Sequence, residues 1–391
     1  MKRIILNIIP LVALTLTASS LIAQQDTTLL TGTDRASGLG VSLELEIQAA
    51  INRSLDWFAA NQKENGSWSN ESFPALTALP TWAFARSTHT AGKTVVPKAV
   101  DFMKTCLQPD GGIYKHVSGQ KGGGLSNYNT AICMTALHGT GDKSLTRIIQ
   151  NARSFVAKGQ HTGDDVYNGG FGYDRSTNRN YADLMNTLYA AEAMRLTQDV
   201  EDLRPSSETK ANVDWAATLK FVEALQNPAS AGEAEAGGFI YKPGESKSGS
   251  TTNTEGVIVF RSYGSMTYAG LLAMVYADVD RDDPRVRSAF DWASKNWTLE
   301  ENPGMGSEGL FFFYNVLSRA LSAYGAEVIP TQTGTHANWR KEVALKLIST
   351  QTIDPATGHG YWMNKEGRFW ERDPALVTAY SILALQQILG Q

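Results

Sequence analysis

The chain has 391 residues, of which 42% are hydrophobic, and its 39 acidic and 35 basic side chains give a formal net charge of −4. That length accommodates one large domain or two of ordinary size, with ample apolar content for a core. A small negative charge, scattered lysines and no basic stripe argue against a nucleic-acid-binding protein.

The first residues have the pattern of an export signal. Lys2 and Arg3 precede the apolar run Ile4–Ala18, and small residues follow at Ser19, Ser20 and Ala23. A basic start, an apolar stretch and small residues near the cleavage position are typical of a secretory signal peptide. The run is short for a membrane span and contains Pro10, so we predict cleavage rather than a transmembrane anchor. Residues 1–23 are then removed, residues 24–42 form a flexible leader, and the protein is periplasmic or extracellular.

Helical periodicity dominates the chain after the leader. Apolar spacing predicts an outer helix over Leu43–Asn61, and the apolar stretch Ala75–Arg86 predicts an inner partner. The next pair is predicted over Val96–Leu107, opened by Pro97, and over Thr130–His138. Thr130–His138 is small or apolar on all faces, which is typical of a helix buried between neighbours.

Four further inner helices are predicted downstream. They lie in the stretches YADLMNTLYAAEAMRL, SYGSMTYAGLLAMVYADVD, NPGMGSEGLFFFYNVLSRALSAYG and GYWMNKEGRFWERDPALVTAYSILALQQIL. Asp283 and Pro284 predict the N-cap and first turn of an outer helix between them. The polar, Gly- and Ser-rich segment Ala231–Ser250 is predicted to be an exposed loop. Strands are not predicted, because period-two alternation of useful length is absent.

One short pattern recurs along the chain. It is a helix rich in aromatic residues, a glutamine, a tight turn with glycine, and then an aromatic residue, as in LDWFAANQKENGSW at Leu55–Trp68. The glutamines are Gln62, Gln108, Gln160, Gln226 and Gln351. Their intervals are roughly fifty residues, and the last interval holds two periods, which is the signature of a repeat array.

This pattern resembles the QW repeat of squalene and oxidosqualene cyclases, whose relatives include the protein prenyltransferase β-subunits. The resemblance covers roughly Leu45 to Leu389. It implies an all-α fold, an α/α toroid of about six helical-hairpin repeats over residues 43–391, with inner and outer helices alternating around a central cavity. It does not fix a reaction, because one fold hosts many functions.

In a toroid of this kind, the loops that lead into the inner helices surround one mouth of the cavity. The candidate catalytic carboxylates there are Asp183, Glu371 and Asp373. The candidate ligand-binding residues are Tyr128, Asn129, Asn186, Tyr263, Tyr314, Trp362 and Trp370. Polar residues at these places are also ordinary helix N-caps, and aromatic residues also pack between neighbouring repeats.

The acid that the cyclase resemblance implies is missing. Those cyclases protonate an alkene with an Asp-x-Asp-Asp-Thr-Ala motif, and the matching place here, Ser126–Ala131, reads SNYNTA. The second such place keeps one carboxylate, Asp183. A literal Asp-x-Asp-Asp at Asp280–Asp283 lies between an inner and an outer helix, where capping and turn formation explain it.

Metal and cofactor sites are not indicated either. The prenyltransferases use zinc bound by Asp, Cys and His, but neither Cys106 nor Cys133 has an aspartate two residues before it, and the six histidines are scattered. We therefore predict no metal and no cofactor. In an oxidising compartment the two cysteines could form a disulfide, or they could be two buried thiols.

These observations favour an exported toroid that binds a ligand in its central cavity. The ligand is an isoprenoid or a glycan, or else the partner is a protein. The alternative is an enzyme, either a diverged terpene cyclase or transferase or a carbohydrate-active toroid, with its carboxylates as acid or base. Exposed mouth aromatics would stack on sugars or line an isoprenoid pocket.

Overall fold

A computed structural model describes residues 38–117, 124–174, 181–253 and 255–391. The predicted signal peptide and most of the predicted leader lie outside the described residues, so both remain predictions. Among the helices of the described ranges, none is both long and apolar enough to cross a membrane.

Helices make up most of the described chain. In chain order they are α1 (Val41–Asn61), α2 (Ala75–Ala85), α3 (Gly92–Lys104), α4 (Ser126–Gly139), α5 (Thr146–Ala157), α6 (Leu184–Leu196), α7 (Gln198–Asp202), α8 (Trp215–Glu223), α9 (Gly264–Tyr276), α10 (Pro284–Lys295), α11 (Leu310–Tyr324), α12 (Trp339–Thr350) and α13 (Pro374–Leu389). Three short antiparallel strand pairs lie between them: β1 (Ser250–Thr252) with β2 (Ile258–Phe260), β3 (Ile329–Pro330) with β4 (His336–Ala337), and β5 (Thr352–Ile353) with β6 (Gly360–Tyr361).

Six of these helices form a closed inner ring. Each of α2, α4, α6, α9 and α11 packs against the next, and α13 packs against both α11 and α2. The inner helices are buried on nearly all faces, whereas outer helices such as α5 bury one face only. The predicted all-α, α/α toroid is therefore confirmed.

Hydrogen bonds join the N-terminal ends of consecutive inner helices. Asn129 Oδ1 on α4 accepts from the amide of Ala75 at the start of α2, at 2.9 Å. The amide of Leu184, the first residue of α6, donates to the carbonyl of Tyr241 in the turn before α9, also at 2.9 Å. These ends therefore lie together at one end of the ring, which we call the mouth.

Four of the five repeated glutamines bond a neighbouring outer helix, whereas Gln108 Nε2 donates to the carbonyls of Cys106 and Tyr114 in its own turn. Gln62 Nε2 donates to the carbonyl of Gly66 in its own turn and to that of Val95 in α3, both at 2.9 Å. Gln351 Nε2 donates to the carbonyl of Ala50 in α1 at 2.9 Å, which ties the last outer helix to the first. The repeat is thus explained by the packing of the ring.

The repeated glycines and aromatic residues also have packing roles. Gly66 has φ +85°, and a Cβ there would lie 2.2 Å from the carbonyl oxygen of Lys98 in α3, so only glycine fits. The amide of Trp68 donates to Thr77 Oγ1 in the first turn of α2, at 3.1 Å. The amide of Trp362 donates in the same way to Thr378 Oγ1 in α13, at 3.0 Å.

Two predicted helix starts were wrong. Helix α4 begins at Ser126, because Asp174, from the distant turn before α6, accepts from the Ser126 amide at 3.0 Å. Tyr128 and Asn129 therefore lie in its first turn, and Asn129 is not its N-cap. Helix α3 begins at Gly92, which places Pro97 in the second turn rather than the first.

The segment Ala231–Ser250 is not an exposed loop throughout. Phe239 is fully buried and Tyr241 is 7% exposed, because this part of the segment forms the turn that leads towards α9. Beyond it, strands β1 and β2 form a hairpin that the sequence did not predict. Cys106 and Cys133 are both buried free thiols.

Candidate functional site

Tyrosine hydroxyls gather around one carboxylate at the mouth, beside the start of α6. The carboxylate is that of Asp183, and the tyrosines are Tyr173, Tyr181 and Tyr241; we call these four residues the phenol cluster. The hydroxyls of Tyr181 and Tyr241 are 2.8 Å apart, and the rings of Tyr173 and Tyr181 stack at 6.3 Å with an interplanar angle of 20°. Tyr173 and Tyr181 are partly exposed, so the cluster reaches the surface.

Asp183 is fully buried and serves as the N-cap of α6. Its Oδ1 accepts from the amide of Asn186 at 2.9 Å, and its Oδ2 accepts from Asn186 Nδ2 at 2.7 Å. Burial raises the pKa of the Asp183 carboxyl, although hydrogen bonds from Asn186, Tyr181 and Tyr241 oppose that shift. Asp183 rather than Asn186 therefore caps this helix, which corrects the capping role considered for Asn186.

The tyrosines of the mouth remain neutral at physiological pH. Burial, followed by the charge of Asp183, raises the pKa of Tyr173, Tyr181 and Tyr241. Burial also raises the pKa of Tyr128, on the first turn of α4, to about 12. These phenols are therefore hydrogen-bond donors and acceptors rather than bases.

One buried acceptor at the phenol cluster is unsatisfied. Asn186 is 1% exposed, and its Oδ1 accepts no hydrogen bond from any group in the described ranges. A buried polar atom without a partner costs free energy that a ligand hydroxyl or an ordered water can recover. Asn186 Oδ1 therefore keeps the capacity to accept one further hydrogen bond beside the phenol cluster.

Glu371 lies on the opposite side of the mouth and is also fully buried. Its carboxylate accepts from the amides of Phe312 at 2.8 Å and Phe311 at 3.4 Å, and from Asn364 Nδ2 at 2.7 Å. The N-cap residue of α11 is Gly309, which has no side chain to do this. Glu371 therefore caps α11 from a distant part of the chain, and burial raises the pKa of its carboxyl.

Asp373 has a similar structural position. Its Oδ1 accepts from the amide of Ala375 at 2.8 Å and from that of Leu376 at 3.4 Å, so it caps α13. The hydroxyl of Ser69 donates to its other oxygen. All three candidate carboxylates thus bind the N-terminal amides of inner helices, and a catalytic role for them remains a prediction.

Three of the candidate ligand-binding residues are engaged by structural partners, and of these Asn129 lies at the mouth. Tyr314 comes two residues after Phe312 on α11 and therefore points about 200° away from it. Its hydroxyl donates to the carbonyl of Leu299 at 2.5 Å. Trp362 is fully buried, and its Nε1 donates to the carbonyl of Leu347 in α12 at 2.8 Å. Asn129 bonds the start of α2, as described above.

The other candidates lie at the mouth. Tyr128 contacts the phenol cluster through Tyr173, with ring centroids 6.1 Å apart. Tyr263 is the buried N-cap residue of α9, its amide donates to the carbonyl of Phe239 at 3.4 Å, and burial raises the pKa of its phenol. Trp370 is 48% exposed. The structure thus brings Tyr128, Asp183 and Asn186 together, and Tyr263 lies at the start of the next inner helix.

Side chains cross the lumen below the mouth. Tyr189 on α6 packs against Phe312 on α11 with ring centroids 6.5 Å apart, although α9 stands between these helices in the ring. One level deeper, Arg319 on α11 forms a buried salt bridge with Glu192 on α6. Tyr276 on α9 donates to the same carboxylate at 2.9 Å. The lumen is therefore occupied at these levels by the protein's own side chains.

These lumen residues were not predicted from the sequence. A weak signal was present on α6, where Asn186, Tyr189 and Glu192 follow one another at intervals of three residues. That spacing places three polar groups within about 120° of a mostly apolar helix. A polar face on a helix buried all round indicates that it points into the lumen.

Metal binding has no support in the geometry. Across the described ranges, no three His, Cys, Asp or Glu side chains come together as metal ligands. The described residues of the mouth offer hydrogen bonding by phenols, an amide and a carboxylate, together with contact to aromatic rings.

Comparisons with known proteins identify the scaffold. No protein-family model matches the chain, and no curated protein matches its sequence. Among solved structures, the chain is similar to the type II terpene cyclase MstE from Scytonema, with a TM-score of 0.54 and 11% identity over 89% of this chain and 98% of that one.

Two carbohydrate-active proteins are similar to the chain to nearly the same degree. The α-1,6-mannanase GH76A from Salegentibacter has a TM-score of 0.51 and 12% identity, over 88% of this chain and 98% of that one. A D-mannose isomerase has a TM-score of 0.52 and 10% identity, over 88% and 97%. At such identities the likeness establishes the α/α toroid and leaves the function to the site itself.

Proposed function

We propose that the protein binds a glycan at the mouth of the ring, after export from the cytoplasm, without transforming it. The observation that carries the proposal is the unsatisfied Oδ1 of buried Asn186 beside the neutral phenols of the phenol cluster. Sugar hydroxyls both donate and accept hydrogen bonds, so they complement an amide acceptor and phenol groups placed together.

The lumen below the mouth favours a glycan over an isoprenoid. A long apolar chain needs a deep apolar channel, but the pair Tyr189 and Phe312 and the pair Glu192 and Arg319 cross the lumen. A sugar needs only a shallow site with aromatic faces and polar groups. MstE was solved with geranylgeranyl dihydroxybenzoate and GH76A with α-1,6-mannotriose, so this scaffold accommodates both classes.

The carboxylates favour binding over catalysis. Glycoside hydrolysis requires a pair of carboxyl groups that face the substrate. Asp183, Glu371 and Asp373 are each engaged with the N-terminal amides of an inner helix. The raised pKa values of the mouth phenols also oppose a role as the base of an elimination reaction.

Calorimetric titration of the purified protein tests the proposal. The probes are α-1,6-manno-oligosaccharides, cello-oligosaccharides and, for the isoprenoid class, geranylgeraniol. We expect binding to one of the sugar series and none to geranylgeraniol. Tyr241→Phe removes one hydroxyl of the phenol cluster and should weaken sugar binding about tenfold.

The matched control is Tyr314→Phe, which removes a buried hydroxyl on the outer side of α11 and should leave affinity unchanged. Binding of geranylgeraniol alone, or equal losses in the two variants, would contradict the proposal. Release of shorter sugars during incubation with a bound oligosaccharide would show an enzyme instead.

A further inference from the structure

Two large aromatic side chains are exposed next to each other at the mouth. Phe369 is 44% exposed and Trp370 is 48% exposed, although both are residues that proteins usually bury. We call this pair the aromatic ledge. The ledge lies between Asn364 and Asp373, in the segment that leads into α13.

The backbone of the ledge is strained. Phe369 has φ +59° and Trp370 has φ +67°, a left-handed conformation that bulky residues rarely adopt. Two consecutive residues of this kind raise the free energy of the folded state unless other contacts hold them. Such strain is concentrated at binding and catalytic sites, because selection for stability alone would replace these residues with glycine or asparagine.

Specific contacts hold the ledge in this conformation. Glu371 directly follows Trp370 and is fixed by the amides of α11 and by Asn364. The ring of Phe369 lies over Gly309, where an added Cβ would come within 3.3 Å of the ring. The ring of Trp370 meets that of Phe73 edge-on at 5.1 Å. The two rings are therefore held in place while much of their surface stays in water.

The groups around the ledge are polar and of both charges. The guanidinium carbon of Arg368 lies 4.9 Å from the ring centroid of Phe369, and its guanidinium forms an ion pair with Glu308. Lys365, Glu366 and Arg372 are exposed nearby in sequence. Aromatic faces bordered by groups of both charges suit a sugar, whose C–H faces stack on rings while its hydroxyls bond the border. A surface for anionic lipid would carry an excess of basic residues instead.

The ledge is close to the phenol cluster. The ring of Phe369 and the side chain of Asn302 both lie against Gly309, and Asn302 Oδ1 accepts from the amide of Ser265 in the first turn of α9 at 2.9 Å. The amide of Tyr263, at the start of the same helix, donates to the carbonyl of Phe239, two residues before Tyr241, at 3.4 Å. The start of α9 therefore connects the ledge to the phenol cluster. We infer that the aromatic ledge is a second sugar-stacking subsite, and that the ligand is an oligosaccharide whose successive units occupy the phenol cluster and the ledge. This inference rests on the proposed function.

Affinity as a function of sugar length tests the inference. Calorimetry on the purified protein uses mannose, α-1,6-mannobiose and α-1,6-mannotriose, and the corresponding cello-oligosaccharides. We expect affinity to rise with length, and Trp370→Ala to reduce the affinity for the trisaccharide about tenfold without changing that for the monosaccharide. The matched control is Leu345→Ala, which removes a side chain of similar exposure, 45%, on outer helix α12.

The possible outcomes distinguish a failure of the inference from a failure of the proposed function. Affinity that does not depend on length, or a length dependence that persists in Trp370→Ala, would overturn the ledge subsite and leave the phenol cluster as the binding site. If neither sugar series binds the wild-type protein, the proposed function itself fails. Binding to phosphatidylglycerol vesicles that Trp370→Ala abolishes would assign the ledge to a membrane surface and also overturn the inference.

A stability measurement distinguishes a binding role from a structural one. Phe369→Gly relieves the left-handed strain, so we expect the melting temperature to rise by about 2 °C while trisaccharide affinity falls. A purely structural ring would give the opposite result for stability, because its loss would lower the melting temperature. That result together with unchanged affinity would overturn the subsite.

Discussion

The two sides of the mouth each contain a fully buried carboxylate at the start of an inner helix, but their surroundings differ. Asp183 caps the helix that it begins, and phenol hydroxyls surround it. Glu371 caps α11, a helix from an earlier repeat, and is enclosed by backbone amides and Asn364. The same place in the fold therefore carries the hydrogen-bonding groups of the proposed ligand site on one side and holds a loop on the other.

The largest expected effect is on stability, at Glu371. Glu371→Ala leaves the amides of Phe311 and Phe312 and the amide group of Asn364 without their acceptor. We expect the free energy of unfolding to fall by about 3 kcal/mol, measured by denaturant titration. The exposed neighbour Glu366→Ala is the control and should change it little. Equal losses in the two variants would show that the hydrogen bonds of Glu371 do not stabilise the fold in the way proposed.

The second prediction concerns ligand affinity at Asp183. Asp183→Asn keeps a capping oxygen for α6 but changes the hydrogen-bond pattern among the phenols, so sugar affinity should fall about tenfold in calorimetry. The matched variant Asp373→Asn, which alters a cap bonded to Ser69, should bind as the wild type does. A loss at Asp373 that matched the loss at Asp183 would mean that the binding site is not centred on the phenol cluster.

A smaller loss of stability is expected at Asp373. Asp373→Ala removes the acceptor for the amides of Ala375 and Leu376 at the start of α13. Loss of a helix cap costs about 1 kcal/mol, less than the loss at Glu371, because Asp373 is only partly buried. Thermal or denaturant unfolding measures it. A larger loss than that of Glu371→Ala would reverse the ranking of the two caps.

The smallest effect is a pH dependence at Asp183. Because burial raises the pKa of this carboxyl in the folded state, folding opposes its ionisation. Its contribution to stability is fully present below the unfolded pKa of about 3.9 and is lost as the pH rises through the folded pKa. Asp183→Asn has no such loss, so its free energy of unfolding relative to the wild type should increase between about pH 4 and pH 7. A relative stability that decreases over this range would contradict the raised pKa.

The fold could be predicted from the sequence because the same packing contacts, and therefore the same residue types, recur in each repeat. Glutamines such as Gln62 and glycines such as Gly66 recur because every turn must fit closely against the next outer helix. Inner helices were recognisable because they are apolar or small on all faces. Their exact starts were not, since the start of α4 depends on Asp174, which comes from the following repeat.

The site was only partly predictable. Asp183 and Asn186 precede or open a helix, so their place at the mouth followed from the resemblance. The hydroxyls of Tyr181 and Tyr241 meet only because α6 packs against α9, and no local pattern records that contact. The pairing of Glu192 with Arg319 likewise joins helices that are not neighbours in the ring. Such contacts are fixed by ring closure rather than by local sequence.

Hydroxyl-radical footprinting is the most direct test of glycan binding at the mouth. The purified protein is oxidised with and without a saturating amount of the tightest-binding sugar from the two series. Tyr173, Tyr181 and Trp370 are all partly exposed, and we expect binding to protect them while Leu345 on outer helix α12 keeps its reactivity. Unchanged reactivity of all three mouth residues at saturation would contradict it.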